Sequence, residues 1–280
     1  MDAETGRRRV VRWLPVLALA VAVACGSPDT DDLATAVAGA ITHSSSSPAA
    51  AATAQAPPTS VAPAPGPTTV NRTTTFGTSA SGRPLTVTEI GNPASPNRIL
   101  IVGCIHGSEP AGIAVADALA KAPALTNADL WLVPVLNPDG VSANTRQNAN
   151  GVDLNRNFPF EWQPLGRRGA VDYAGPSALS EPESRAAATL IRAIRPTTAI
   201  WFHQHLAVVD NSQGPAAIEA RFAAMVGLPL DKLTDYPGSA VGWEDATFGP
   251  TAFVVELPAG VLDGPAVSRY VSAVRAIPQP

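Results

Sequence analysis

The stretch Arg98-Ile99-Leu100-Ile101-Val102-Gly103-Cys104-Ile105-His106-Gly107-Ser108-Glu109-Pro110 decides the architecture. Arg98–Ile105 is a nearly continuous apolar run of strand length, His106–Glu109 is a polar turn, and Pro110 opens a helix-like pattern that continues to Lys121. A strand apolar on both faces belongs in a sheet covered by helices on both sides, and proline is tolerated in a first helical turn. The same unit recurs outward from here. Leu85–Ile90 alternates as a half-buried strand does. Leu130–Leu136, Thr198–Phe202 and Thr251–Leu257 are further apolar runs, and Glu181–Ile194, Ala216–Val226 and Pro265–Ala276 carry helical patterns. Strands alternating with helices over residues 73–280 predict one α/β domain with a mixed, mostly parallel central sheet flanked by helices. Cys104, inside a buried strand, reads as a small core residue.

The segment before this domain reads differently. Arg7, Arg8, Arg9 and Arg12 precede a short apolar stretch, Trp13–Ala24, that closes on the small residues Ala22-Val23-Ala24. This is the pattern of a secretion signal over residues 1–24. Cys25 then has two readings: an acylated cysteine behind a lipobox with Ala where Leu is usual, or a bystander to ordinary A-x-A cleavage. Residues 25–72 are rich in Ala, Pro, Ser and Thr, with no Asp, Glu, Lys or Arg from Leu33 to Asn71. So few large apolar side chains cannot offset an ordering cost of about 1–2 kcal/mol per residue, and a disordered tether is expected. His43, alone in that tether, reads as no ligand. The expected location is the outer face of the cytoplasmic membrane or the cell envelope, with membrane contact only through a lipid on Cys25, or otherwise secretion.

Composition removes several function classes. A net charge of −4 excludes a strongly basic nucleic-acid binder. Two cysteines exclude a disulfide framework and a cysteine-ligated metal cluster. No apolar run reaches the 18 residues that a membrane-spanning helix requires.

Three histidines remain in residues 73–280: His106, His203 and His205. All follow the ends of predicted central strands, where open α/β sheets bind ligands. His106 and Glu109, three apart on a turn, can aim a ring nitrogen and a carboxylate at one metal ion. Alone, H-x-x-E is a weak signal. It is accompanied by Asn137-Pro138-Asp139-Gly140, by Arg146, by Gly151-Val152-Asp153-Leu154-Asn155-Arg156-Asn157-Phe158-Pro159, by a strand-end His203 and by Glu256 in the last strand.

This ordered set resembles the zinc carboxypeptidases of the carboxypeptidase A superfamily, and the resemblance covers essentially all of Thr73–Ala276. Thr234-Asp235-Tyr236-Pro237-Gly238-Ser239, leading into Val254–Pro258, is similar to bacterial murein peptide amidases and succinylglutamate desuccinylase-like enzymes. The resemblance implies one Zn²⁺ held by His106, Glu109 and His203, with Glu256 as general base and Arg146 as oxyanion stabiliser. It further implies Asn155 and Arg156 as the substrate-carboxylate pair, and Tyr236 as a capping side chain. His203 and His205, two apart on a strand, could both face the same side; the family pattern favours His203 as ligand and leaves His205 to line the pocket. Asp153 reads as support for the loop or for a metal-bound histidine. Asn150-Gly151 in isolation reads as a turn, and Trp131, Trp201 and Trp243 as core or pocket wall. Glu256 lies in an apolar run where an unpaired carboxylate would be costly to bury, so a catalytic placement explains it directly.

The leading expectation is an exported zinc peptidase or amidase that cleaves a peptide bond near a free carboxylate, with a muropeptide or short peptide as substrate. A general metallocarboxypeptidase and an N-acyl amino acid deacylase are alternatives within the enzyme class. A non-catalytic wall- or peptide-binding lipoprotein is the alternative outside it.

Overall fold

The computed structural model describes residues 66–211 and 214–278. The span read as a secretion signal, Cys25, His43 and the part of the expected tether up to residue 65 lie outside these residues. In chain order the elements are β1 (Val70–Thr78), β2 (Pro84–Gly91), β3 (Arg98–Val102), α1 (Ala111–Ala120), β4 (Asp129–Val133) and α2 (Pro138–Ala143). A 3₁₀ turn (Leu154–Arg156), α3 (Pro182–Ile194), β5 (Thr198–Asp210), α4 (Ala216–Val226) and β6 (Leu230–Asp231) follow. α5 (Ala240–Phe248), β7 (Ala252–Pro258) and α6 (Gly264–Ala276) complete the chain.

The seven strands form one sheet in the order β1-β2-β4-β3-β5-β6, with β7 also paired to β5. β1–β2 and β2–β4 are antiparallel; β3–β4, β3–β5, β5–β6 and β5–β7 are parallel. The fold is therefore the mixed, mostly parallel α/β sheet that the alternating pattern predicts. Period-two alternation sorts the central strands between two cores. Ile99, Ile101, Ile200, Phe202 and Val255 pack with α1, α4 and α6. Leu100, Val102, Ala199 and Trp201 pack with α3, α5 and the 3₁₀ turn on the opposite face. Trp201 and Trp243 are buried in that second core and Trp131 packs against it. Cys104 is fully buried. Burial first, and then the nearby Glu109 charge, push its thiol up to about 12, which leaves it protonated and inert.

The differences from the expected boundaries have physical causes. β4 stops at Val133 rather than Leu136 because Pro134 has no N–H for the ladder. β3, its parallel partner, stops at Val102 rather than Ile105. β1 begins at Val70, three residues inside the span read as tether. It is an almost wholly exposed edge strand held by backbone pairing to β2, so it leaves no apolar signature. β5 runs to Asp210, eight residues past Phe202, because β7 and then β6 pair along it.

Candidate metal centre and active-site cavity

The predicted zinc-ligand residues meet beyond the carboxyl end of β3 and beside the middle of β5, which continues past the strand end expected at His203. His106 follows β3 and Glu109 closes the turn into α1, while His203 lies within β5. Both histidines are buried. Glu109 Oε2 is 3.0 Å from His106 Nδ1 and 3.0 Å from His203 Nδ1, and the two ring nitrogens are 3.1 Å apart. Among the described residues this trio alone brings three ligand atoms of His, Cys, Asp or Glu within 4.8 Å of one another.

The donor chemistry of this trio tests whether zinc fits. His106 turns Nε2 to Asp153 Oδ1 at 2.9 Å. With the proton on Nε2, Nδ1 presents a lone pair, so two imidazole nitrogens and a carboxylate oxygen converge on one point. Three lone pairs that close repel unless a cation lies among them. Zn–N and Zn–O bonds of about 2.0–2.1 Å at tetrahedral angles put ligand atoms about 3.3 Å apart, close to the spacing seen. The surrounding charges favour a cation too. Burial opposes the charged form of His106, yet Asp153 and Glu109 raise its pKa. Burial would raise the carboxyls of Glu109 and Asp153, but the histidines beside Glu109, and His106 and the arginines beside Asp153, hold both well below the usual carboxylate range. The residues fit zinc.

Asp153 organises the loop behind this centre. It is fully buried, faces His106 with one oxygen and accepts the Asn155 N–H with the same one, while its other oxygen accepts Arg146 Nε at 2.9 Å. It thereby caps the 3₁₀ turn that carries Asn155 and Arg156. Leu154 and Phe158 anchor that turn in the core. Asn137 caps α2 through Gly140 N–H and donates to the Arg146 carbonyl, which links the N-P-D-G motif to the arginine nine residues beyond Asn137. Arg146 also reaches Glu109 Oε1 at 2.9 Å. The asparagines of this segment form a second polar layer: buried Asn148 and exposed Asn150 donate to Glu181, and buried Asn157 holds Ala174, Ser177 and Ser180. No periodicity reports such a layer. Gly151 is a left-handed turn residue at φ 77°, as Asn150-Gly151 implies.

A cavity of about 240 Å³ opens beside the centre, lined by His106, His203, Arg146, Asn155, Arg156, Tyr236 and Glu256 among others. Glu256 is the register partner of His203 on β7 and is half-buried. Alternation along β7 puts Val255 and Leu257 in the core and leaves Val254 and Glu256 on the cavity side. Asn155 accepts the Ala240 N–H through Oδ1, which leaves its Nδ2 donors for the cavity. Arg156 lies under the Tyr236 ring, 4.2 Å from its centre. Gly238, at φ 76°, lets the Tyr236 turn approach so closely that a Cβ there would overlap the Arg156 backbone.

His205 does not join this group. It is exposed and stands outside the cavity lining. His205 pairs with Pro258, the last residue of β7, and the β5–β7 register shifts only beyond it, between His205 and Leu206 and twice more by Val209. The cavity also holds three residues that sequence reasoning missed, Asp210, Glu219 and Asp245, brought together from β5, α4 and α5.

Residues 67–209 match the zinc carboxypeptidase family. The murein peptide amidase A of Escherichia coli K12 is 31% identical over 181 residues, covering 60% of this chain and 74% of that protein. That of Vibrio campbellii is 34% identical over 203 residues, covering 66% and 79%. The crystal structure of the murein-tripeptide amidase of E. coli O157 superposes with a TM-score of 0.60 at 27% identity, over 74% of this chain and 91% of that one. The family uses Zn²⁺, for which a candidate His–Glu–His site is present here. The chain belongs to the zinc carboxypeptidase family and is a hydrolase of that kind.

Proposed function

We propose that this chain is an exported zinc-dependent peptidase or amidase that hydrolyses an amide bond one residue from a free carboxylate, with a muropeptide as substrate. The observation that carries the reading is the shared cavity: a three-ligand centre, a carboxylate and a guanidinium–carboxamide pair line one space. Similarity to murein peptide amidases supports the substrate, and the Arg-rich apolar leader with its Ala22-Val23-Ala24-Cys25 close supports export and lipid anchoring.

Zinc, when held by His106, Glu109 and His203, supplies Lewis-acid chemistry toward the carbonyl and the attacking water. The protein side chains do the rest. Arg156 and the Asn155 carboxamide receive the substrate carboxylate, for which a guanidinium fork is suited, and Tyr236 covers that pair. Glu256 takes the proton from the attacking water and returns it to the departing nitrogen. Arg146, fixed through Nε by Asp153 and through Nη1 by Glu109, presents its cavity-facing edge to the charge that develops on the carbonyl oxygen. Asp153 keeps the His106 ring in one orientation.

The test is mass spectrometry on the full-length protein with muropeptide tri- and tetrapeptides, ordinary peptides and N-acyl amino acids. Release of the terminal diamino acid from the muropeptide by wild type, lost in Glu256→Gln with zinc still bound, supports the proposal. Cleavage restricted to ordinary C-terminal residues makes the chain a general carboxypeptidase, and cleavage restricted to N-acyl amino acids a deacylase. Zinc-loaded protein that binds muropeptide and cleaves nothing in the panel overturns the enzymatic reading.

A further inference from the structure

Gln204 follows the zinc-ligand residue His203 on β5 and turns to the opposite face of the sheet. It shares the parity of Ile200 and Phe202, which pack with α1, α4 and α6, while His203 faces the cavity. Where that row would place a third apolar side chain, the chain has a carboxamide. Its Oε1 accepts the Ala111 N–H at 2.9 Å, and its Nε2 donates to the Pro258 carbonyl at 2.9 Å and the Gly260 carbonyl at 2.8 Å. An amide flip would set the oxygen against two carbonyls and the nitrogen against an N–H, so the partners fix its orientation.

Each partner has a local deficit that Gln204 makes good. Ala111 opens α1, whose first amides find no acceptor within the helix, and the N-cap Pro110 brings no side-chain cap. Gln204 supplies one from 93 residues along the chain. Pro258 ends β7 and has no N–H for the ladder. The strand thus loses a donor just beyond Glu256, and Gln204 holds it there and again at Gly260. The three segments joined are those that carry the centre: Ala111 lies two residues after Glu109, Gln204 one after His203, and Pro258 two after Glu256. Glu256 has little hold of its own, since among the described residues its carboxylate accepts only the Leu206 amide, at 3.4 Å.

We infer that Gln204 is a positioning residue, whose side chain sets Glu256 in place relative to the zinc-ligand residues His203 and Glu109. It lies outside the lining of the metal-centre cavity and acts through the backbone it ties together. The inference rests on the proposed reading of Glu256 as general base. Proton transfer requires the base within hydrogen-bond reach of the proton it takes, so a loosened β7 end slows the chemical step. Asn155 and Arg156 on the 3₁₀ turn, and Tyr236 before α5, keep their hold on the substrate carboxylate without Gln204. Gln204 therefore governs kcat and not KM.

The test uses the full-length, zinc-loaded protein and whichever panel substrate wild type cleaves. Gln204→Met keeps the length of the side chain and removes its donors and acceptor. Well below its melting temperature it should retain stoichiometric zinc and a KM within about 3-fold of wild type, with kcat lower by about 10- to 100-fold. Gln204→Glu, which when ionised keeps an acceptor for Ala111 and loses both donors, should fall similarly and carries the test should Gln204→Met purify unfolded. A purely structural role lowers the melting temperature and leaves kcat of the folded protein unchanged, and that result overturns the inference. So does a rise in KM at constant kcat. Loss of zinc would make Gln204 a support of His203 and overturn it as well. Hydrogen exchange on the zinc-free protein reads the tie without catalysis: peptides covering Ala111 and residues 257–263 should exchange several-fold faster in Gln204→Met. Faster exchange confined to these segments upholds the tie even where wild type cleaves nothing, an outcome that sinks the proposed function alone. Unchanged exchange in both segments overturns it.

Discussion

The guanidinium carbon of Arg156 lies against the face of the Tyr236 ring, 4.2 Å from its centre. Arg156 is 8% exposed and Tyr236 48%, so the tyrosine forms the solvent side of a stack whose inner member is the cation. Such a contact contributes about 0.5–1 kcal/mol. Tyr236→Ala should raise KM for a substrate with a free carboxylate by about 2- to 5-fold, with a smaller change in kcat. Tyr236→Phe should stay near wild type in KM, because the ring and not the hydroxyl makes the stack. Arg156→Ala should cost far more, about 2–3 kcal/mol in kcat/KM for loss of a charge-assisted pair. Steady-state kinetics on one peptide decides this; equal damage from Ala and Phe at 236 would assign the role to the hydroxyl.

His203 and His205 are separable by metal content. His203→Ala removes a nitrogen 3.1 Å from its His106 counterpart and should purify without stoichiometric zinc. His205→Ala alters an exposed side chain and should retain it. Atomic absorption on both proteins gives the answer, and zinc addition should raise the melting temperature of wild type but not of His203→Ala.

Asp153→Asn keeps the shape of a fully buried side chain and removes the charge that faces His106 Nε2 and Arg146 Nε. Zinc affinity should fall about 10- to 100-fold, the usual cost of losing a carboxylate behind a ligating histidine. Competition with a chelating dye measures it. An unchanged affinity would confine Asp153 to capping the 3₁₀ turn.

Glu244 is fully buried on α5, with Oε2 accepting the Trp201 indole N–H at 3.1 Å and Oε1 unpartnered. Burial raises its carboxyl from 4.5 to about 8. The folded state therefore holds this proton more tightly than the unfolded chain does. The associated stability is fully present below about pH 4.5, declines as pH rises, and is gone above about pH 8. Glu244→Gln stays neutral throughout. Its melting temperature should gain on wild type progressively between those limits and run parallel above them. A difference independent of pH would show that the Glu244 carboxyl titrates alike in the folded and unfolded states.

The elements that announced themselves are those with a buried stripe or face. α3, α4 and α6 fall within a residue of the spans expected, because each lays a regular apolar row on the sheet. α5 did not announce itself: Ala240–Phe248 buries Glu244 beside Trp243 and so breaks the contrast on which periodicity depends. α2, a six-residue helix, is set by the Asn137 cap more than by any stripe. β1 is an exposed edge strand whose only hold is its backbone ladder.

What the sequence by itself determined is local. It placed His106 and Glu109 on one turn behind a central strand, and Glu256 near the end of the last strand. Each of these follows from spacing of a few residues along a strand or turn, which fixes side-chain direction wherever the period holds. Tertiary structure decided the rest. His106 and His203 stand 97 residues apart in the chain, and the pairing of β3 with β5 makes them neighbours. His205, paired with the last residue of β7, is left exposed. The meeting of Asp210, Glu219 and Asp245 depends on where β5, α4 and α5 come to rest against one another. No short-range period encodes that, because it is the outcome of many packing contacts settled together.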